Sequence, residues 1–290
     1  MKKIKVISLL IIIMVCCLFT SGCASDNMEN INVLVTNYPN EYIAKMLYGE
    51  HSVISSIYPD GVDISSYKIS KKQKKDFSKF DLFIYNGLIE KERELAVELL
   101  DLNSDLKIVD SSYVLETEYS PEELWLNPSS LLMMAQNVRL GLEEYISNKY
   151  LKKEVDDAYN ELKIELSELD ATYRIDVENT NNKIIVVANK TLKYLEKFGL
   201  EIYCVDADAS DKTISDVENL IVSGSVDYIY SFKEEELNDN AQRLLDDYSS
   251  SVSKIEIHKL DNISDKERSD KSDYLSIMEN NLELLKKEIY

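Results

Sequence analysis

YPDGVDISSYKISKKQKKDFSKFDLFIYNG, residues Tyr58–Gly87, is the stretch that decides the fold. It opens on a turn-prone Pro59-Asp60-Gly61 and runs through Val62-Asp63-Ile64-Ser65-Ser66-Tyr67 to Ser70-Lys71-Lys72-Gln73. A serine three residues ahead of a glutamine is the capping-box pattern that starts a helix, and Phe77 and Phe80 give that helix an apolar side. The apolar run Leu82–Tyr85 follows and is closed by Asn86-Gly87. A short apolar run bounded by turn residues reads as a buried strand.

The same alternation extends in both directions. In the first half, strands are expected at Asn32–Thr36, Val53–Ile57, Leu82–Tyr85 and Lys107–Val109, separated by helical patterns at 40–48, from Ser70, and at 88–101. In the second half, strands are expected at Ile184–Ala188, Glu201–Val205, Asp227–Tyr230 and Lys254–His258. A helix is placed at 215–223 on the capping box Ser215-Asp216-Val217-Glu218, and a last one at about 273–288. Strands alternating with helices imply an α/β fold with parallel sheets. Between the halves, Asn127-Pro128 supplies an N-cap and a first-turn proline for a helix to about 147. From 150 to 177 one apolar stripe recurs at steps of three and four, through Leu151, Val155, Ala158, Leu162, Leu166, Leu169, Tyr173 and Val177. A buried helix face and a coiled-coil dimer both fit that periodicity.

The chain begins as a targeting segment. Lys2, Lys3 and Lys5 form a basic start, the run from Ile4 to Phe19 is almost wholly apolar, and Thr20-Ser21-Gly22-Cys23 follows. About 16 apolar residues fall short of the roughly 20 that a spanning helix needs, so residues 1–22 read as a cleaved signal peptide. Ser-Gly-Cys resembles a bacterial lipobox, which makes Cys23 the lipidated mature N-terminus. Residues 23–31 read as a polar tether. Removing 1–22 takes away three lysines and no acid, leaving 30 basic against 53 acidic residues, a charge of −23. Such a surface argues against nucleic acid as a partner. Cys204, in an apolar run, reads as a buried strand residue.

The run Gly61–Tyr67 and the following Asp81-Leu82-Phe83-Ile84-Tyr85-Asn86-Gly87 resemble the zinc/manganese solute-binding lipoprotein family (TroA/ZnuA-like) of ABC importers, and the resemblance extends from Ile31 to the last helix. It implies two βα lobes with parallel four-stranded sheets, at 32–148 and 179–290, joined by one long backbone helix at 149–178. That helix settles the stripe as a buried face, and a monomer is expected. The family binds its metal from four places. Ser65 stands where the first motif has histidine, and Glu123 in Glu123-Leu124-Trp125-Leu126-Asn127-Pro128 stands for the second. Asn189 in Val186-Val187-Ala188-Asn189-Lys190 stands for the third, and Asp261 retains the acid of the fourth. Trp125 is implied to pack beside the cleft.

Ser65, Glu123, Asn189 and Asp261 offer only oxygen donors. That set suits a hard divalent cation better than zinc, which favours imidazole and thiolate. Each residue has a second reading. Ser120-Pro121-Glu122-Glu123 fits a capping box, Asn189 fits an N-cap, Ser65 fits a loop that satisfies its own backbone, and Asp261 sits in a turn. Of the two histidines, His51 precedes a strand, at the sheet end away from a cleft; His258 ends one and is a speculative further ligand. The resemblance implies an extracytoplasmic protein on a lipid anchor, capturing a divalent metal ion or related solute and delivering it to a permease driven by an ATPase. The alternative is an adhesin-like surface lipoprotein that no longer binds metal. No G-x-S-x-G elbow surrounds Ser65, and no catalysis is expected.

Overall fold

The computed structural model describes residues 28–290. The expected signal peptide, Cys23 and most of the tether lie outside the described residues. Two four-stranded sheets form, both wholly parallel. The first contains β1 (Ile31–Val35), β2 (Ser52–Ser56), β3 (Leu82–Tyr85) and β4 (Lys107–Asp110) in the order β2-β1-β3-β4. The second contains β5 (Ile184–Val187), β6 (Glu201–Cys204), β7 (Tyr228–Phe232) and β8 (Ser253–Ile257) in the order β6-β5-β7-β8. The two orders are the same, so the α/β expectation of two matching lobes holds. In each sheet the chain steps from its first strand to one side, then crosses to the other. A crevice opens where that order reverses, beyond the carboxyl ends of the strands.

The helices begin where local chemistry starts them. In α1 (Tyr38–Tyr48) Asn37 accepts from the Asn40 amide at 3.2 Å, with Pro39 in the first turn. In α2 (Lys71–Phe77) Ser70 and Gln73 form the expected reciprocal box, at 3.3 and 2.9 Å. Then follow α3 (Glu90–Leu102), the single turn α4 (Glu123–Leu126), and α5 (Pro128–Tyr145) capped by Asn127. The long helix α6 runs Lys149–Glu178, 30 residues, and buries Leu151, Val155, Leu162, Leu166, Tyr173 and Val177. At about 1.5 Å per residue it is roughly 45 Å long, and each such buried side chain contributes about 1.5–3 kcal/mol. One continuous apolar core runs along α6 from the first sheet to the second.

In the second lobe, Asn189 caps a 3₁₀ segment, Lys190–Phe198. Helix α7 spans Asp211–Val222. This corrects the expected start at Ser215. Ser210 is the cap, accepting from the Thr213 amide at 3.1 Å, because burying Ile214 with Val217 and Ile221 requires the helix to have begun already. Three helices complete the lobe: α8 (Asp239–Asp247), α9 (Asp265–Ser269) and α10 (Tyr274–Ile289). Tyr173 on α6 donates to the Met278 carbonyl on α10 at 2.7 Å, fixing the last helix to the long one.

Candidate functional site in the inter-lobe cleft

The loops after β2, β7 and β8 meet between the lobes and enclose a cavity of about 350 Å³. Its walls carry Asp63 and Ser65 from the first lobe, and Lys233, Glu235, His258, Lys259, Asp261 and Glu267 from the second. Ser65 therefore shares a cavity with Asp261 and His258. The loop that presents it turns at Gly61, whose φ of +71° favours glycine, and is closed by Asp63. The Asp63 carboxylate accepts from the Ser65 amide and hydroxyl at 2.8 and 2.7 Å, and from the Ser66 hydroxyl at 2.6 Å. These bonds, the side-chain hydroxyl of Ser66 foremost, bring its pKa down to about 2.

His258 follows β8 and is held from both ring nitrogens. Its Nδ1 accepts from the Leu260 amide at 2.8 Å, so the proton of the neutral ring is on Nε2, which faces Glu267 at 3.3 Å. Burial lowers its pKa, which keeps the ring neutral near pH 7. With Nδ1 occupied and Nε2 protonated, neither nitrogen offers a lone pair to the cavity. Glu267 also completes a capping box with Ser264 and accepts from Lys233 at 3.0 Å.

Lys259 is the centre of the cleft's charge. Its ammonium lies 3.0 Å from Glu235, 3.7 Å from Glu122 and 3.8 Å from Asp261. Glu122 comes from the first lobe; the other two come from the second. Burial would lower the Lys259 pKa, but Asp261, Glu235 and Glu122 together raise it above 10.5. Burial raises the Asp261 carboxyl, and Lys259 offsets this only in part.

Glu123 and Asn189 are placed differently. Glu123 is 1% exposed and turns away from this cavity. Its carboxylate accepts from the backbone amides of Tyr119, Ser120 (2.7 Å) and Glu118 (3.4 Å), and Lys197 stands 3.6 Å away. This is half a capping box, since the Ser120 hydroxyl bonds Thr191 instead, at 2.9 Å. Glu123 is not among the residues that line the cavity with Asp261; the neighbouring Glu122 reaches Lys259. Asn189 lines an adjoining cavity of about 250 Å³. It accepts from the Thr191 amide at 2.9 Å as an N-cap and donates to Glu235 at 2.9 Å. His51 is remote from the cleft and pairs with Glu154 on α6 at 3.1 Å. Among the described residues no three His, Cys, Asp or Glu side chains are grouped to hold a metal ion.

Two seams join the lobes around this cleft. In one, Arg268 forks onto Asp60 at 2.5 and 2.6 Å and onto Glu41 at 2.8 and 3.2 Å. Asn262 donates to the Pro59 and Val62 carbonyls, each at 2.9 Å. Main-chain bonds run from Tyr38 to Asp261 at 3.0 Å and from Gly61 to Ile263 at 2.9 Å. In the other, Ser120 meets Thr191, and Tyr119 donates to Glu196 at 3.0 Å. Between the seams Trp125, 1% exposed, donates to the Lys259 carbonyl at 2.9 Å. Sequence reasoning missed Lys259, Glu122, Glu235 and Arg268. The one local signal was a lysine directly between His258 and the Leu260-Asp261 turn.

A two-lobe α/β architecture with a long connecting helix and a polar cleft between the lobes, beyond the carboxyl ends of the strands, defines a cleft-type solute-binding protein. The chain belongs to the family described as "ZnuA: Zinc-uptake complex component A periplasmic", which matches residues 33–288. It is 21% identical, over 317 aligned positions covering 99% of this chain, to the zinc-binding lipoprotein AdcA of Streptococcus pneumoniae R6. The chain spans 61% of the length of that relative. Its fold is similar to the Zn(II)-bound ZnuA-like domain of S. pneumoniae AdcA (TM-score 0.72, 20% identity, covering 90% of this chain and 99% of that one). It is also similar to the metal-dependent lipoprotein YcdH of Bacillus subtilis (TM-score 0.73, 19% identity, 90% and 99%). A third similar fold is the laminin-binding protein Lmb of Streptococcus agalactiae, described as having adhesin and metal-transporting activity (TM-score 0.73, 17% identity, 90% and 100%).

Proposed function

We propose that this chain is the extracytoplasmic solute-binding component of an ABC importer, a monomer anchored through a lipidated Cys23. It captures a divalent cation in the inter-lobe cavity and presents it to a permease driven by an ATPase, with no reaction on the chain itself. The observation that carries this reading is the charge of the cavity wall: Asp63, Glu234, Glu235, Glu236, Asp261 and Glu267 against Lys233 and Lys259. An excess of carboxylates on a water-filled wall concentrates cations.

Zinc does not fit the residues present. No thiolate lines the cavity, the His258 nitrogens are both engaged, and the remaining donors are oxygens. Calcium, magnesium or manganese suits such donors. Calorimetry on the purified, metal-stripped chain tests this. Saturable one-to-one binding of a hard cation, weakened by D63N, supports the reading; nanomolar zinc affinity with no response to manganese or calcium would sink it. The second reading, an adhesin-like surface protein, is favoured by Lys259 already joining carboxylates of both lobes in the cleft. Absence of binding by every cation in that titration would select it.

A further inference from the structure

The ammonium of Lys259 has the position and neighbours of a bound cation. It is contributed by the chain one residue after His258, on the loop that carries Asp261. It draws together one carboxylate from the first lobe, Glu122, and two from the second, Glu235 and Asp261, at 3.0–3.8 Å. Glu235 passes the contact on to Asn189 at 2.9 Å, and Trp125 holds the Lys259 carbonyl at 2.9 Å. Of the four places from which the resemblance draws metal ligands, Asp261 meets this nitrogen directly; Asn189 touches its partner Glu235, and Glu122, the neighbour of Glu123, reaches it in place of Glu123. The side chain is 22% exposed and its ammonium lies over the Phe232 ring, 5.8 Å from the centroid.

We propose that Lys259 is a tethered occupant of the cleft's cation position, which satisfies the inter-lobe carboxylates and must be displaced before a divalent ion can use them. The inference rests on the cleft being the solute site, and it adds the residue that sets how weakly a cation binds there. A lysine is a compact point charge on a flexible stem with three donors, which fits three separate carboxylates. A metal needs oxygen at about 2.0–2.6 Å. The carboxylates spaced around an ammonium would therefore have to move inward once it is gone, driven by their own uncompensated charge.

The test is manganese and calcium titration of the wild-type chain, K259M, K259Q and K259R, followed by calorimetry. Removing a like charge at this distance is expected to tighten binding of the better ion by roughly a hundredfold in K259M and K259Q. K259R, which keeps the charge, should stay within a few-fold of wild type. Equal affinities across all four chains would overturn the inference. If the neutral variants are destabilised, the same titration is read by melting: rescue by millimolar manganese or calcium supports the proposal, and no rescue overturns it. The outcomes separate from those of the functional reading. A wild type that binds nothing beside a K259M that binds well removes cation capture and keeps Lys259. A wild type that binds tightly, with K259M unchanged, does the reverse.

Discussion

The loop Lys259–Arg268 is stitched to the first lobe by main chain and by a forked arginine, whereas the facing seam, at Tyr119–Glu123 against the 3₁₀ segment, joins through side chains. In the first seam Asp261 and Ile263 give their carbonyls to Tyr38 and Gly61, so the position of the Asp261 turn is fixed by backbone. In the second, the Ser120 and Thr191 hydroxyls meet, Tyr119 reaches Glu196, and Lys193 lies over the Tyr119 ring at 4.6 Å. Side-chain hydrogen bonds of that kind are each worth about 0.5–1.5 kcal/mol net. The difference teaches where the cleft can give: the wall bearing His258 and Asp261 is rigid, and the opposite rim can part at low cost. Lys259 lies where the two meet, because Glu122 belongs to the second rim and Asp261 to the first.

Removing Arg268 is the hardest blow to the rigid seam. R268A leaves Asp60 without its fork and Glu41, 8% exposed, with Lys45 as its remaining cation. Breaking a partly buried, bidentate pair from one side is expected to cost about 2–3 kcal/mol. For a chain of this size that lowers Tm by roughly 4–6 °C. A melt within a degree or two of wild type would mean the fork is a solvated surface pair and the two seams are alike.

E123A asks what the second rim is made of. If the carboxylate is a cap for Glu118, Tyr119 and Ser120, its loss costs about 1–2 kcal/mol by orphaning part-buried amides. Cation affinity would then stay unchanged. Loss of cation binding with stability intact would instead make Glu123 a ligand, and the rim part of the site. Urea unfolding and calorimetry on the same preparation distinguish the two.

Much of the fold is legible from the sequence, because buried parallel strands are short apolar runs and the caps are local. Leu82–Tyr85 and the Ser70–Gln73 box fall where the pattern puts them. The start of α7 does not: the local pattern puts the cap at Ser215, whereas Ser210 holds it and Ile214 packs inside the helix. The cleft is far less legible. Arg268 and Asp60 are 208 positions apart, and nothing local marks either as a partner. Glu122 and Glu123 are the same residue type, side by side; one faces Lys259 and the other the backbone, a choice made by where α4 begins its single turn. Lysine is ordinarily a surface residue, so Lys259 carries no signal of its own until three carboxylates are seen around it.

Acid should loosen the rigid wall before the opposite one. Burial alone would raise the Glu267 pKa, but the Ser264 bonds, Lys233 and His258 bring it from 4.5 down to about 2. Its stabilising contribution is therefore complete above pH 4.5 and is lost as pH falls towards 2. His258, lowered by burial from 6.5, acts in the same direction: its contribution is present above pH 6.5 and lost as pH falls through its folded value. With allowance for solvent screening, E267Q is expected to cost about 1 kcal/mol at neutral pH. The larger effect is on slope. The fall in stability between pH 4.5 and 2 should become shallower in E267Q, and unfolding series across that range would show it. An unchanged slope would place the acid sensitivity elsewhere in the chain.

The smallest effect belongs to the second rim itself. Ser120 and Thr191 are half-buried or better, and their hydroxyls are 2.9 Å apart, but neither is charged. S120A is expected to cost about 0.5–1 kcal/mol, the ordinary net worth of one neutral hydrogen bond. A double-mutant cycle with T191V isolates the pair from the packing of either side chain. Coupling of about half a kcal/mol, set beside a several-fold larger coupling for Arg268 and Asp60, would confirm a cleft with one stiff wall and one yielding rim. Equal couplings would remove the asymmetry. Entry of a solute from the yielding side would then have no structural basis, because both rims would have to open together.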